Sequence, residues 1–330
     1  MTEQSLHVRR VGGLEMIIAI DSTLRGPALG GCRWRIYPDI TVARREARAL
    51  AAAMTGKAAL ARLSLGGGKA VVSGDPQLRT REDLLGFADF VESLGGRYIT
   101  AADMGTGQEQ MAVMRERTRH VVGLPRDRGG CGDPGPFTAR GVYMAIVAAL
   151  GGSISGARVA VQGTGSVGGA LVQLLVESGA SVVACDPDPA ALAALPTEVR
   201  IVDPGAITSI PCEVLAPCGP AGVLDRKLVE DVPCQVVCGA ANNQLVDPAA
   251  AEVLSERGVL YVPDFLANAG GLIHLAVALE DGDDAATLEH LRVIPDNLAE
   301  VLARVKSEGG NTLSAAEAIA SSLLAGGDGA

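Results

Sequence analysis

Residues along this chain fall into two alternating rhythms. Short runs rich in apolar residues read as strands, at 14–20, 70–73, 97–100, 158–162, 181–185, 213–216, 235–238 and 259–262. Longer stretches with helical spacing lie between and after them, at 41–61, 81–94, 138–150, 166–177 and from 283 onward. In the first helical stretch Leu50, Met54 and Lys57 fall at i, i+4 and i+7, so the lysine shares a stripe with apolar side chains and points toward the body of the protein. Thr41 is the candidate N-cap of that helix, and Thr138 of the one that ends near 150. Strands alternating with helices imply an α/β protein.

A Gly- and Pro-rich stretch at 129–136 marks a domain boundary. Residues 1–133 together with 288–330 are expected to form one domain and 134–287 the other, with a cleft between them. The tail is expected to fold back across the first domain, with 326–330 frayed. A length of 330 residues suits two domains, and 48% hydrophobic residues suffice for two cores.

Charge narrows the possible partners. A net charge of -10 argues against nucleic acid and anionic membranes, both of which need a basic surface. No apolar run is long enough to span a bilayer, and residues 1–10 lack the apolar core of a signal peptide. The seven cysteines include no Cys-x-x-Cys pair, and the four histidines are scattered. A reduced, cytoplasmic protein with no structural metal is expected.

Only four lysines occur, at 57, 69, 227 and 306. Lys57 and Lys69 lie in a nearly charge-free stretch, the second directly after Gly66-Gly67-Gly68. A single lysine in such a place ordinarily snorkels to water. Two in a lysine-poor chain point elsewhere. Lysine can lose its proton where arginine cannot, and two ammonium groups in one cleft would promote that. One lysine is expected to hold an anionic group and the other to move a proton.

The strand at Arg158–Gln162 runs into Gly163-Thr164-Gly165-Ser166-Val167-Gly168, then a helix, then a strand at Ser181–Cys185 ending in Asp186. This is the βαβ dinucleotide-binding fingerprint in its proper context, which makes the second domain Rossmann-type. Gly163 permits the turn, Gly165 lets backbone approach a pyrophosphate, and Gly168 lets helix and strand pack closely. The helix start at Ser166 and Val167 offers N–H groups to phosphate. Asp186 can accept from both ribose hydroxyls and would repel a 2′-phosphate, which favours NAD over NADP. Later strands end in small-residue loops that should line the cofactor, among them Ala240 to Asn243 and Phe265 to Gly271. Asn242 and Asn268 are candidates for contacts to a ribose or carboxamide. Each could equally be a turn asparagine.

The segments Gly26-Pro27-Ala28-Leu29-Gly30-Gly31-Cys32-Arg33, Met54 to Lys57, Gly66 to Lys69 and Gly95 to Asp103 carry a family resemblance, with Cys238 to Gln244 and Tyr261 to Ile273 beyond the glycine fingerprint. Through them the chain resembles the leucine/phenylalanine/valine dehydrogenase branch of the Glu/Leu/Phe/Val dehydrogenase family, from about residue 26 to 273. The resemblance implies a first domain for substrate binding, catalysis and oligomerisation, and a likeness to enzymes that form homo-oligomers. It implies NAD-dependent oxidative deamination of an L-amino acid to a 2-oxo acid and ammonia. By the same resemblance Lys57 binds the substrate carboxylate, Lys69 activates water, and Asp103 exchanges protons with the amino group. Thr138 and Asn242 contact the nicotinamide end, and Asn268 helps place the substrate.

Glutamate-specific members place a lysine before the Gly-Gly pair, where this chain has Leu29. A carboxylate buried against leucine would cost several kcal/mol. A hydrophobic side chain is therefore expected, in a pocket lined by Leu29, Gly30 and Met54 with Leu272 or Leu275. The 264–275 segment looks most like phenylalanine-specific members. Departures at Gly56, Val277 and Asp133 are expected to bear on the substrate, with Gly56 and the Val277 region enlarging or reshaping the pocket. A nonstandard amino acid, such as an aromatic analogue or tryptophan, remains an alternative. So does a non-catalytic NAD-binding homologue, although Lys57, Lys69 and Asp103 are all present. A 2-hydroxy-acid dehydrogenase would rely on a His and Arg pair, which the isolated histidines do not suggest.

Overall fold

The computed structural model describes residues 4–326. They form two compact units. The first holds the chain up to Pro134, His274–Asp284 and the segment from Ala320; the second holds Gly135–Ile273 and Ala285–Ile319.

The first unit carries β1 (Ser5–Val11), β2 (Leu14–Ser22), β3 (Ala28–Arg35), α1 (Ile40–Leu60), β4 (Gly66–Ser73), α2 (Arg81–Glu92), β5 (Tyr98–Ala102) and α3 (Gln108–Met114). Its sheet runs β1-β2-β4-β3-β5, with β3, β4 and β5 mutually parallel and β2 antiparallel to both β1 and β4. Period-two alternation assigns the two faces. Met16, Ile18, Cys32, Trp34, Ala70 and Val72 meet the aromatic and methionine side chains of α2 and α3, among them Phe87, Phe90, Met111 and Met114. On the other face Ile17, Ala19 and Val71 meet Ala43, Ala47 and Ala51 of α1. Alanine at every fourth position makes a flat helical face that can lie close to a sheet.

That close approach explains the glycine run. A Cβ on Gly67 would lie 2.2 Å from the Thr55 backbone nitrogen on α1, and one on Gly66 would lie 1.9 Å from the Ser22 carbonyl oxygen. β4 therefore begins at Gly66, before the apolar run at 70–73. Helix α1 begins one residue before the expected cap. Asp39 is the N-cap, its Oδ1 accepting from the backbone N–H groups of Thr41 and Val42 at 2.7 and 3.1 Å. Thr41, read as the cap, is already helical.

The second unit opens with α4 (Gly135–Ala149), which places Thr138 inside its first turn and not at the cap. Then come β6 (Arg158–Gln162), α5 (Ser166–Glu177), β7 (Ser181–Cys185), α6 (Pro189–Ala193) and β8 (Arg200–Ile201). β9 (Val214–Pro217), α7 (Arg226–Asp231), β10 (Val236–Val237), α8 (Ala249–Glu256) and β11 (Leu260–Tyr261) follow. The six strands are parallel, in the order β11-β10-β9-β6-β7-β8. Chain order reverses between β6 and β9, the switch point where doubly wound sheets bind ligands.

The remaining helices are α9 (Asp264–Ala267), α10 (Gly270–Leu279), α11 (Asp284–His290), α12 (Val293–Glu308) and α13 (Thr312–Ala325). Here the division differs from the expected domains, which placed everything from 288 with the first unit. Ile294, Leu298 and Val301 form the buried stripe of α12, and α12 packs on α4, where a Cβ on Gly141 would come within 2.7 Å of Ile294. Residues 285–319 thus belong to the second unit. His274–Asp284 joins the first: the His274 ring bonds the Cys131 carbonyl at 3.1 Å, and Arg126 grips Asp284 at 2.9 Å.

At the start of β6, Arg158 holds Glu213 through its side chain and its backbone N–H, at 2.6 to 3.1 Å. These bonds lower the Glu213 carboxyl to about 2. An unfolded chain takes up that proton at higher pH, so the pair stabilises the fold above the ordinary value of 4.5 and the gain is lost as pH falls toward about 2. Thermal unfolding followed across this window should show wild type above Glu213→Gln near pH 5, with the gap closing as the solution is acidified.

Candidate active site

In the first unit, alternation brings Leu29, Gly31 and Arg33 of β3 and Gly67, Lys69 and Val71 of β4 to the α1 face of the sheet. Helix α1 packs chiefly on β2 and β4, with much less contact to β3. Lys69 is only 7% exposed, and its Nζ stands 2.6 Å from Asp103 Oδ2. Arg33 Nε donates to the same oxygen at 3.0 Å, while its Nη1 donates to Glu46 Oε1 on α1 at 2.5 Å. The four side chains form a charge-neutral cluster of two cations and two carboxylates.

Asp103 directly follows β5, in a turn the backbone holds from several sides. Its N–H donates to Thr106 Oγ1 at 3.0 Å, and that hydroxyl donates to the Cys32 carbonyl at 2.8 Å. Trp34 N–H donates to the Met104 carbonyl at 2.8 Å. Gly105 has φ +80, and a Cβ there would sit 2.0 Å from the Trp34 oxygen. A Cβ on Gly31 would lie 2.7 Å from Asp103 Cβ, so a side chain at 31 would displace the carboxylate. Burial pushes the Asp103 carboxyl up, but Lys69 and Arg33 outweigh it and hold the group below its ordinary range. The immediate charged partner of Lys69 is thus a carboxylate shared with a guanidinium, where the sequence suggested a second ammonium.

Lys57 and Met54 are half-buried on α1, and Leu29 is fully buried beside Gly67 in register. Gly30 has a packing reason of its own, since a Cβ there would lie 1.7 Å from the Gly68 carbonyl oxygen. Arg33 and Glu46 were missed by sequence reading, although a signal existed. Glu46 continues the Leu50, Met54, Lys57 stripe one turn earlier, and Arg33 shares the strand parity of Leu29.

The second unit gathers its candidates at the C-terminal ends of its strands. Gly163 has φ +89, and a Cβ on it would lie 2.6 Å from Gly219 N across the switch point. A Cβ on Gly168 would lie 1.9 Å from the Gly163 oxygen, which is the close helix–strand packing expected. Around Gly165 the space is open, with nothing within 4 Å of a built Cβ. Ser166 and Val167 open α5 there. Asp186 accepts from Thr164 N at 2.6 Å and Asp188 N at 2.8 Å. Burial raises its carboxyl, and these backbone donors more than offset that and hold it low. The open glycine turn, the helix start and the ionised Asp186 fit a dinucleotide.

The loop after β10 is fixed by Gln244, whose Nε2 donates to the Gly239 and Ala241 carbonyls at 2.9 and 3.1 Å. Asn268 Nδ2 donates to the Ala240 carbonyl at 3.0 Å and to Asn242 Oδ1 at 2.9 Å. A carbonyl can only accept, so the amide orientation is determined. The remaining polar atom of Asn268, Oδ1, is buried without a hydrogen-bond partner and can only accept. Thr138 adjoins this group, since a Cβ on Gly270 would lie 3.1 Å from Thr138 Cα. All seven cysteines are free thiols. Among the described residues, no group of three or more His, Cys, Asp or Glu could hold a metal ion.

Comparison with known proteins gives a consistent picture. Residues 2–120 match the family model described as Glu/Leu/Phe/Val dehydrogenase, dimerisation domain, and residues 188–321 match that described as Glutamate/Leucine/Phenylalanine/Valine dehydrogenase. The chain is 37% identical to leucine dehydrogenase from Geobacillus stearothermophilus, over 93% of this chain and 86% of that protein. It is 38% identical to phenylalanine dehydrogenase from Caldalkalibacillus thermarum, over 92% and 86%. Its structure is similar to that of L-tryptophan dehydrogenase from Nostoc punctiforme, with a TM-score of 0.85, 30% identity and coverage of 98% and 96%.

Gly56, one of the departures noted above, turns out to face outward. Arg45, Ala49 and Ala52, earlier on the same side of α1, are exposed, and nothing lies within 4 Å of a Cβ built on Gly56. It lies off the row that carries Glu46 and Lys57, with open space beside it. Gly56→Ala should raise stability by about 0.5–1 kcal/mol, seen as a higher denaturant midpoint, with turnover unchanged.

Proposed function

The chain belongs to the Glu/Leu/Phe/Val dehydrogenase family, and from that premise we propose that it oxidatively deaminates a hydrophobic L-amino acid with NAD, giving the 2-oxo acid and ammonia, and catalyses the reverse amination. The observation that carries this reading is the ion pair of buried Lys69 with half-buried Asp103 at 2.6 Å, with Lys69 on the same sheet face as Leu29.

In this reading Lys57 binds the substrate carboxylate. Leu29, Gly30 and Met54 line the side-chain pocket, where a second carboxylate would find no counter-charge. Asn268 has both amide hydrogens engaged and offers only an acceptor, which suits the substrate amino group better than its carboxylate. The nicotinamide, when bound, supplies the hydride acceptor for the substrate Cα. What the chain adds is proton chemistry. Lys69 takes a proton from the water that attacks the substrate imine, and Asp103 exchanges protons with the nitrogen that leaves.

Gly163, Gly165, Ser166, Val167 and Gly168 would hold the pyrophosphate and Asp186 the adenosine ribose. Thr138, Ala240 and Asn242 would hold the nicotinamide end. The ionised Asp186 supports NAD over a 2′-phosphorylated cofactor. Free thiols throughout suit a cytoplasmic protein. The description of the first family model as a dimerisation domain supports a homo-oligomer. Phenylalanine is the favoured substrate, with leucine or valine beside it. The likeness to a tryptophan dehydrogenase supports a larger aromatic side chain as the second reading.

NADH formation at alkaline pH, with L-Phe, L-Leu, L-Val, L-Trp, L-Glu and L-lactate offered in turn with NAD and NADP, tests this. Turnover of an apolar amino acid with NAD is expected. Lys69→Ala should lower it by about 10²–10⁴-fold while NAD still binds. Preferred turnover of glutamate or lactate would overturn the substrate assignment, and full activity in Lys69→Ala would overturn the mechanism.

A further inference from the structure

During the proposed reaction, which this inference rests on, Lys69 must release Asp103 long enough to take a proton from water. Asp103 is largely withdrawn from water, its side chain 21% exposed, and such a carboxylate left by its only cation would move or take up a proton. Arg33 removes that difficulty. Its guanidinium is permanently charged, reaches the same Oδ2 as Lys69 at 3.0 Å, and is anchored at its other end by Glu46 at 2.5 Å. We propose that Arg33, held by Glu46, is a positioning residue that keeps the Asp103 carboxylate charged and in place while Lys69 exchanges its proton.

The geometry carries the argument. Lys69 comes from β4, Arg33 from β3 and Asp103 from the turn after β5, so three parallel strands converge on one oxygen. Glu46 adds α1, the helix that also bears Lys57 and Met54. The Glu46–Arg33 contact therefore ties the expected carboxylate-binding helix to the catalytic pair. The groups electrostatically coupled to the cluster are Cys32, Tyr98 and Arg79 around Asp103 and Lys69, and Tyr37 beside Glu46 and Arg33; the same elements also carry Arg35, Arg44, Arg45, Arg48 and Lys57. Burial pushes Cys32, Tyr37 and Tyr98 far above neutral pH. Arg79 donates to the Gly105 carbonyl. Neither that thiol nor the two phenols change charge near neutrality to mimic Asp103.

The pH dependence of kcat/KM for the best amino acid tests this in wild type, Arg33→Gln, Arg33→Lys and Glu46→Gln, with thermal unfolding to show that each folds. Without Arg33, Asp103 takes up its proton more readily. The acidic limb in Arg33→Gln should move up by about 1 pH unit or more. Arg33→Lys should return the limb toward wild type but leave kcat reduced, because an ammonium cannot span Asp103 and Glu46 as a planar fork does. In Glu46→Gln kcat should fall with the limb unmoved or shifted slightly lower. A folded Arg33→Gln with the wild-type limb would overturn the proposal. Carboxyl ¹³C titration of aspartate-labelled protein, with Asp103→Asn to identify the signal, reads the same shift without turnover. It therefore separates failure of this proposal from failure of the amino-acid reading.

Discussion

A lysine ammonium and a carboxylate taken out of water must meet each other closely or not be there at all. Lys69 and Asp103 meet at 2.6 Å, and much of the first unit can be understood as the frame that makes this possible. Desolvating two charges is costly, and mutual attraction compensates only when the geometry is tight and the leftover hydrogen-bonding capacity is used. Arg33 uses part of it, and Glu46 holds Arg33. The turn from Asp103 to Thr106, pinned to Cys32 and Trp34, fixes where the carboxylate stands. Gly31 has no side chain because one would press on Asp103. Gly66 and Gly67 have none because β2 and α1 run against them.

The same requirement explains what was legible in the sequence and what was not. The strands at 158–162 and 181–185 and the helix end at 177 could be read to the residue, because glycine spacing, apolar run and helix period all point the same way there. The start of β4 was hidden, since three glycines carry no hydrophobic signal even though each is buried in a strand. β1 was hidden too: half-exposed at an edge, it sets His7 between Leu6 and Val8 and follows them with Arg9 and Arg10. Both cap assignments slipped by a few residues, the usual scale for helix ends read from sequence.

Within the site, Lys57, Lys69 and Asp103 stood out because charge is scarce around them. Arg33 and Glu46 did not, because arginine and glutamate are common in this chain and nothing local marks one pair as half-buried and joined. Their partnership crosses from a strand to a helix 13 residues on. It appears only once the sheet has set β3 beside β4 and laid α1 alongside.

The chain's preference for arginine sharpens the distinction between its two kinds of cation. Twenty-four of its 28 basic residues are arginine, and two of the four lysines lie in the stretch that bears the candidate site. A guanidinium keeps its charge under any condition the protein meets, so it can hold a carboxylate but cannot trade a proton. An ammonium can do both, and a group that trades its proton cannot also be the permanent anchor of its partner. Placing Lys69 and Arg33 on one oxygen of Asp103 separates the two tasks. The exchangeable cation sits where proton transfer is needed. The fixed one sits behind it, and Glu46 keeps that fixed charge from reorienting when its neighbour leaves.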